Sequence, residues 1–292
     1  MKRIVGAVLA VLAGGTLAAD PVMKPFVLAS RGPGDVAAVV AATKEKLSAA
    51  GFELAGSYQP YADAVVLVVT SEAIQAEAAR TETGGYAAAQ RVTVTKFGDE
   101  VQVAYTNPVY MAAAYRLAGD LSPAAKALEE ALGREEDFGP DEGRTDKALR
   151  KYHYMMGMEY FDEPSKLGRF GSHAGAVKAV EDGLAAHAGG ASKVYRIDLP
   201  GGKQTVFGVA LTEGCSGDER IMNEIDFKPL RSTGHLPYEI VVSGLNTYAL
   251  YGRFRIAINF PDLKMMGSHS FMNIRCAPEA IEKSLKAVAD WR

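Results

Sequence analysis

A strand–turn–strand pattern occurs twice in this chain of 292 residues and constrains its fold more than any other feature. In the second half, apolar runs at 239–242 and 247–259 flank a turn-rich quartet at 243–246. In the first half, shorter runs at 91–95 and 100–106 flank a Gly-containing turn. Apolar or alternating runs of this length around a turn are typical of antiparallel hairpins. We therefore predict one hairpin at the centre of each half.

Helical patterns surround both hairpins. Residues 36–50 follow Asp35, a good N-cap, and repeat apolar side chains at helical spacing, as residues 174–188 also do. Segments at 123–132 and 277–289 are each opened by a proline and predict a closing helix in each half. This order predicts an α+β fold of two tandem copies of a small α/β sandwich domain, each a sheet with helices packed on one face.

The predicted domain boundaries follow from composition. A signal peptide occupies 1–19, a first α/β domain 20–133, a linker and docking helix 134–167, and a second α/β domain 168–292. The third segment begins charged and rich in Gly and Pro, which is typical of a linker. Its continuation at 145–160 carries apolar residues at helical spacing and predicts the docking helix.

The first nineteen residues have the pattern of an export signal. Lys2 and Arg3 form a basic start, residues 4–13 are apolar, and small residues precede Asp20 as a cleavage site. The apolar stretch is too short to span a bilayer comfortably. We therefore predict a soluble protein of the periplasm or extracellular space, with no membrane span after signal cleavage.

Charge and motifs exclude several functional classes. The formal net charge is −3, and Lys and Arg are scattered rather than clustered, so we expect no nucleic-acid partner. The sequence contains no G-x-x-x-x-G-K-[ST] or strand-to-helix G-x-G-x-x-G pattern for a nucleotide. It also lacks H-E-x-x-H, paired C-x-x-C and C-x-x-C-H, which speaks against zinc sites and covalently attached haem.

Soft patterns in both halves resemble a bacterial family of domains of unknown function, number 302. The first half carries the resemblance at Val36, Leu47, Gly51-Phe52, 65–69 and Asn107-Pro108. The second half carries it at Ile221-Met222, 236–242 and Phe260-Pro261, where Phe260 departs from the Asn of the first copy. The resemblance implies two divergent tandem copies of a small α/β fold. It implies no particular activity.

Methionine and histidine cluster in two places. The candidate metal ligands are His153, Met155, Met156, Met265, Met266, His269 and Met272, and Met158 lies beside the first group. Thioether and imidazole ligands suit Cu(I), which an exported protein encounters. The same residues also suit core packing or the lining of an apolar ligand site. Because Gly267, Ser268 and Ser270 weaken a helix, we predict an irregular, exposed functional loop at 265–272.

The chain contains two cysteines, Cys215 and Cys276. An oxidising compartment permits a disulfide between them. The alternative is a nucleophilic Cys215 with His235 or His269 as its base. Spacing along the sequence leaves both interpretations open.

These observations favour a non-enzymatic exported binding or accessory protein. We expect it to hold an apolar small ligand, or to meet a periplasmic partner protein, between its halves. The first alternative is a protein that handles Cu(I), another metal or haem through its Met/His clusters. The second alternative is a Cys-dependent enzyme.

Overall fold

The computed structural model describes residues 20–155 and 157–291. The elements of the first half are β1 (Val22–Met23), β2 (Phe26–Gly32), α1 (Val36–Ala49), β3 (Glu53–Tyr61), β4 (Ala64–Thr70), α2 (Glu72–Ala79), β5 (Gln90–Phe97), β6 (Glu100–Thr106), α3 (Pro108–Ala114), α4 (Ser122–Leu132), β7 (Glu136–Phe138), β8 (Arg144–Thr145) and α5 (Asp146–Leu149). Those of the second half are β9 (Ser165–Arg169), α6 (His173–Ala185), β10 (Ala191–Asp198), β11 (Gln204–Leu211), α7 (Asp218–Ile225), β12 (Tyr238–Ser243), β13 (Asn246–Ala249), α8 (Gly252–Asn259) and α9 (Ala277–Ala289).

Two antiparallel sheets organise the chain, and their strands follow the same order. The first sheet runs β3-β4-β5-β6-β2-β7, and the second runs β10-β11-β12-β13-β9. A two-stranded pair of β1 and β8 lies beside them. The predicted α+β class is confirmed.

Equivalent strands also share their irregularities. The pairing of β3 with β4 shifts register between Leu54 and Gly56, and that of β10 with β11 shifts between Lys193 and Tyr195. One extra residue therefore enters the same edge strand of each sheet, as in a β-bulge. This agreement supports the hypothesis of an internal duplication, which strand order alone would support less strongly.

The helices α1 and α6 begin where the sequence predicts, at residues whose side chains cap them. The Asp35 side chain accepts a hydrogen bond from the backbone N–H of Ala38 at 2.9 Å, which caps α1. The Ser172 hydroxyl does the same for Gly175 at 3.0 Å, which caps α6. Beyond α1, Gly51 adopts a φ of 82° that favours glycine, and the chain turns into β3.

The helices α1 and α4 pack on the first sheet and α6 and α9 pack on the second, while a 3₁₀ turn of each half contacts the sheet of the other half. In the first sheet, the Thr95 hydroxyl lies 3.0 Å from that of Thr233, in a short 3₁₀ turn (Thr233–His235) of the second half. In the second sheet, the Gln204 side chain accepts from the N–H of Gly85, in the equivalent 3₁₀ turn (Gly84–Ala87) of the first half, at 3.1 Å. The two halves therefore contact each other reciprocally.

The long strand predicted at 247–259 is wrong. The strand β13 ends at Ala249, and Gly252–Asn259 forms the helix α8. Phe254, Ala257 and Ile258 pack into the core of the first half, whereas Ile256 packs into that of the second. Phe254, Ile256 and Ile258 alternate with Arg255, Ala257 and Asn259, and this period of two is typical of a strand rather than a helix.

The docking helix predicted at 145–160 is mostly absent. Among the described residues of this segment, helical geometry is limited to Asp146–Leu149. Gly157 has a φ of 83°, a left-handed value. The segment still contacts the second half, because the Tyr152 hydroxyl donates to the carbonyl of Ala257 at 3.2 Å and that of Tyr154 to Leu263 at 2.6 Å. It docks through side chains on an irregular backbone.

The predicted linker at 134–144 is partly strand. Glu136–Phe138 pairs with β2 as the edge of the first sheet, and Arg144 pairs with Met23. Such short edge strands are held by backbone hydrogen bonds and need no apolar pattern. The predicted signal peptide at 1–19 and Met156 lie outside the described residues. Within the described part of the chain, every helix is too short or too polar to cross a bilayer.

Candidate functional site: the Lys228 cleft

A cleft of about 340 Å³ opens where the two halves meet, and we call it the Lys228 cleft. The first half contributes Gly139 and Asp141, and the second contributes the residues after α7 and the turns after α8. Its charged or titratable lining consists of Asp141, Asp226, Lys228, Asp262, Lys264 and His269. Its apolar lining consists of Ile225, Phe227, Phe260 and Leu263.

The ammonium of Lys228 ties the two sides of the cleft together. Its Nζ donates to the carbonyl of Gly139 at 2.9 Å and to the carboxylate of Asp262 at 2.7 Å. A third, longer contact reaches Asp141 at 3.4 Å. An ammonium has three hydrogens, so these acceptors use its full donor capacity. Lys228 therefore holds the cleft in shape and has no donor left for a ligand.

The imidazole of His269 is held in one orientation at the rim. Its backbone has a φ of 52°, which is uncommon outside glycine, and its ring stacks on Phe227 with centroids 4.5 Å apart. Its Nδ1 lies 3.0 Å from the carbonyl oxygen of Glu224. A carbonyl only accepts, so Nδ1 carries the hydrogen, and Nε2 of the neutral ring is a hydrogen-bond acceptor. No side chain or backbone group in the described part of the chain bonds this Nε2.

Asp226 is a buried carboxylate in the wall of the cleft. The residue is 3% exposed, and its Oδ1 accepts from the backbone N–H of Ser232 at 2.9 Å. Its Oδ2 has no hydrogen-bond partner among the described residues, and Arg231 Nε lies 3.4 Å away. Burial raises the pKa of Asp226 to about 6, although the charge of Arg231 and the bond from Ser232 act in the opposite direction. Asp226 is therefore mainly ionised at neutral pH, at an energetic cost.

The Met/His residues predicted as metal ligands do not line one cavity together. Met265 lines a small apolar pocket with Met158, Tyr154 and Phe271, whereas His269 lines the Lys228 cleft. The side chains of Met266, Met272 and Met155 are 78%, 41% and 40% exposed. No group of three or more His, Cys, Asp or Glu residues suited to a metal ion occurs in the described ranges.

His153, in the first cluster, makes local contacts only. Its Nδ1 lies 2.8 Å from the carbonyl oxygen of Met155, and its ring lies 4.4 Å from that of Tyr160. These contacts stabilise the irregular segment that follows α5.

The loop at 265–272 is irregular and exposed around Met266–His269. By element order the counterpart of α3 is α8, and the two touch, because the Tyr110 hydroxyl donates to the carbonyl of Ile258 at 2.7 Å. The loop belongs to the connection between α8 and α9, which is longer than that between α3 and α4 and lies beside the cleft.

The two cysteines form a disulfide, with Cα atoms 5.8 Å apart. Cys215 therefore has no thiol available for nucleophilic attack in this state. His235, one of its proposed bases, is fully buried and lies 3.0 Å from the Tyr238 hydroxyl through Nε2. His269, the other, faces the Lys228 cleft.

A second polar cluster lies buried between the halves, and we call it the buried ion cluster. Glu239 pairs with both Arg91 and Arg255, and all three side chains are at most 2% exposed. Arg255 also donates to the carbonyl of His235 at 2.6 Å. Burial lowers the pKa of His235 well below its usual value, and the charges of Arg255 and Arg91 add to this effect. These side chains are enclosed by protein and join the halves rather than meet a ligand.

Of the residues that line the cleft, His269 was predicted from the sequence as a site residue and the others were not. Asp226, Phe227 and Lys228 follow α7 directly, where an acid, an aromatic residue and a base share one short loop. That local combination was the available signal. Asp141 and Asp262 gave none, because each is an acid directly after a proline, which is common in turns.

No protein-family model, no curated protein and no solved structure matches this chain. The resemblance to the family of unknown function number 302 therefore remains an interpretation of the sequence pattern. Function has to be inferred from the geometry of the cleft.

Proposed function

We propose that this is an exported, non-enzymatic protein that binds a polar small molecule in the Lys228 cleft. The observation that carries the proposal is the fixed imidazole of His269, whose Nδ1 is bound by the carbonyl of Glu224 and whose Nε2 is left as an open acceptor. Fixing a side chain in advance lowers the entropic cost of binding. Packing alone does not require an imidazole at an exposed, left-handed position.

The size and lining of the cleft also support binding. A volume of about 340 Å³ falls at the lower end of the range for small-molecule sites. Such sites combine apolar walls with a few placed polar groups, and here Phe227 and Leu263 accompany Asp262 and His269. The charged lining favours a polar ligand over the wholly apolar one expected from the sequence.

The proposed export is supported by two features of different kinds. The basic and apolar pattern at 1–19 is typical of a signal peptide. The disulfide between Cys215 and Cys276 uses both cysteines of the chain, and disulfides persist mainly in oxidising compartments. A cellular fractionation with a compartment marker and N-terminal sequencing of the mature protein tests export directly.

Binding is tested by screening a fragment library by ligand-observed NMR against three proteins. These are the wild type, Ser268→Trp, which fills the cleft from its rim, and Ser48→Trp, which adds the same ring to the exposed surface of α1. We expect a set of fragments that binds the wild type and the Ser48 variant but not the Ser268 variant. Fragments that bind all three proteins equally, or none of them, would contradict the proposed function.

A further inference from the structure

We propose that the outer edge of β9 is an interaction surface that binds an extended, acidic segment of a partner protein as an additional strand. This surface is separate from the Lys228 cleft, because no residue of β9 lines that cleft. The proposal is carried by a difference between the two sheets and by the charge of the strands at their edges.

The two sheets differ at one edge. They share the order of five strands, but β7 adds a sixth strand to the first sheet by pairing with β2. The strand β9 holds the place of β2 in the second sheet and pairs with β13 alone. Among the described residues, no strand pairs with the outer side of β9. An edge of this kind presents unpaired backbone N–H and C=O groups to an incoming strand.

The other edge of the second sheet is already occupied. It is formed by β10, which contacts the edge strand β3 of the first sheet, and Gly56 lies against the backbone of Val194 there. This contact belongs to the packing of the two halves. The strand β9 is therefore the edge of the second sheet at which another chain can pair.

The strand β9 carries two cations and no acid. Lys166 and Arg169 are both exposed, and neither takes part in an ion pair within the described ranges. Two copies of this chain paired through β9 would place these cations beside those of the other copy. Like charges on opposed strands destabilise a sheet, so this edge disfavours pairing with itself and favours an acidic strand.

The strand β7 shows that an edge of this protein accepts such an acidic strand. It contains Glu136 and Asp137 and pairs with β2, which contains Arg31. The guanidinium of Arg31 lies 3.8 Å from the carboxylate of Glu135 and 4.0 Å from that of Glu136. A partner segment with the same charge would meet the cations of β9 in the same way.

An apolar side chain of the partner also has a surface to contact. An open pocket of about 440 Å³ lies at the Arg169 end of β9, and its apolar lining includes Phe170 and Trp291. Trp291 is 46% exposed. In the first sheet, Phe138 of β7 packs on Phe26 of β2 with ring centroids 5.5 Å apart. An aromatic residue beside the acids of the partner would bury part of the Trp291 surface.

The test uses a peptide with the sequence of residues 133–140, which contains the acidic strand β7. It is titrated to millimolar concentration into the mature protein and followed by two-dimensional NMR. We expect chemical-shift changes and slower amide exchange in β9. Two matched peptides should bind at least tenfold more weakly. One has lysine in place of its three acids, and the other keeps every side chain but has N-methylated backbone amides at 135–138.

Charge reversal in the protein tests the same contact from the other side. Lys166→Glu combined with Arg169→Glu should weaken the acidic peptide at least fivefold and strengthen binding of the lysine peptide. Lys44→Glu combined with Lys46→Glu is the matched control, because both lysines are exposed on α1. It should leave both affinities within twofold of the wild type.

Four results would overturn the proposal. They are equal binding of the acidic peptide and either matched peptide, shift changes confined to elements other than β9, unchanged affinity in the variant of Lys166 and Arg169, and no binding of the acidic peptide. Sedimentation velocity adds one more outcome. A dimer of the wild type that is lost in the variant of Lys166 and Arg169 would make a second copy the occupant and overturn the partner proposed.

Discussion

Arg91 and Glu239 hold equivalent positions in the two halves and form an ion pair with each other. Each is the second residue of the third strand in its sheet, in β5 and β12 respectively. The pair is buried, and Arg255 joins it on the side of Glu239. Two positions that correspond in strand order therefore carry opposite charges and face each other, which favours one arrangement of the halves.

Side-chain size is also complementary in the strands beside Arg91 and Glu239. In the first sheet Gly56 pairs with Val68, and in the second Tyr195 pairs with Gly208. The glycine lies in the edge strand of the first sheet but in the second strand of the other sheet. The Tyr195 ring covers Gly208, and Gly56 lies against the backbone of residue 194. Charge and size together make this contact between the halves specific.

Glu239→Gln should lower the free energy of unfolding by about 3–5 kcal/mol, because it leaves two buried guanidinium groups without their carboxylate. Urea denaturation at neutral pH measures the loss. Asp182→Asn, which breaks an exposed pair on α6, is the control and should cost about 0–1 kcal/mol. Similar small losses in both variants would show that the buried pair does not stabilise the contact.

Gly208→Ala should destabilise the protein by about 1–3 kcal/mol, since a Cβ there would overlap the Tyr195 ring. The double variant with Tyr195→Leu should recover part of that loss. Gly171→Ala is the control, because its Cβ would meet no atom within 4 Å. The explanation fails if the change at position 208 costs no more than that at 171 in thermal unfolding.

Asp218 should make stability fall as the pH rises. Burial raises its pKa to about 8, although bonds from Leu211 and Tyr58 act in the opposite direction. The folded protein therefore keeps the Asp218 carboxyl protonated up to a higher pH than the unfolded chain does. In the unfolded chain the pKa of this carboxyl is near 3.9. Stability is lost as pH rises between these two values and is constant above the higher one.

Asp218→Asn removes this proton, so it should reduce the stability lost between pH 5 and pH 8.5 by an amount on the order of 3 kcal/mol. Chemical denaturation at several pH values measures the slope for both proteins. Asp182→Asn should give a curve parallel to the wild type. If Asp218→Asn is parallel as well, the carboxyl is ionised at low pH and burial has not raised its pKa.

Replacing both cysteines by serine should cost about 4 kcal/mol, because the disulfide closes a loop with a sequence separation of 61 residues. Denaturant unfolding of the wild type with and without a reductant should show the same loss. The double variant should be insensitive to the reductant. A reductant-sensitive double variant, or a wild type unaffected by complete reduction, would contradict this prediction.

Short local signals accounted for the parts of the fold that the sequence predicted. The hairpins β5–β6 and β12–β13, the cap at Asp35 and the proline-opened helices depend on neighbouring residues, so they are visible in the pattern. The helix α8 was misassigned because its large apolar residues, Phe254, Ile256 and Ile258, recur with the period of a strand. The irregular backbone after α5 was misassigned because apolar spacing does not report the left-handed turn at Gly157.

The candidate site was predicted only in part, since its residues are distant in sequence. His269 was found because an imidazole among Gly and Ser in an apolar chain is locally unusual. Asp141, Lys228 and Asp262 join only through hydrogen bonds between separate segments. The Cu(I) hypothesis grouped Met265 with His269 by proximity along the chain, whereas their side chains line different cavities.

The sequence by itself determined the α+β class, the central hairpins and the capped helices, because turn chemistry, caps and apolar spacing act over a few residues. Tertiary structure decided how the halves meet, since Arg91 and Glu239 are 148 positions apart and nothing local specifies their pairing. It also decided which residues share the Lys228 cleft. Long-range packing and hydrogen bonding select one arrangement among many that are compatible with the same local pattern.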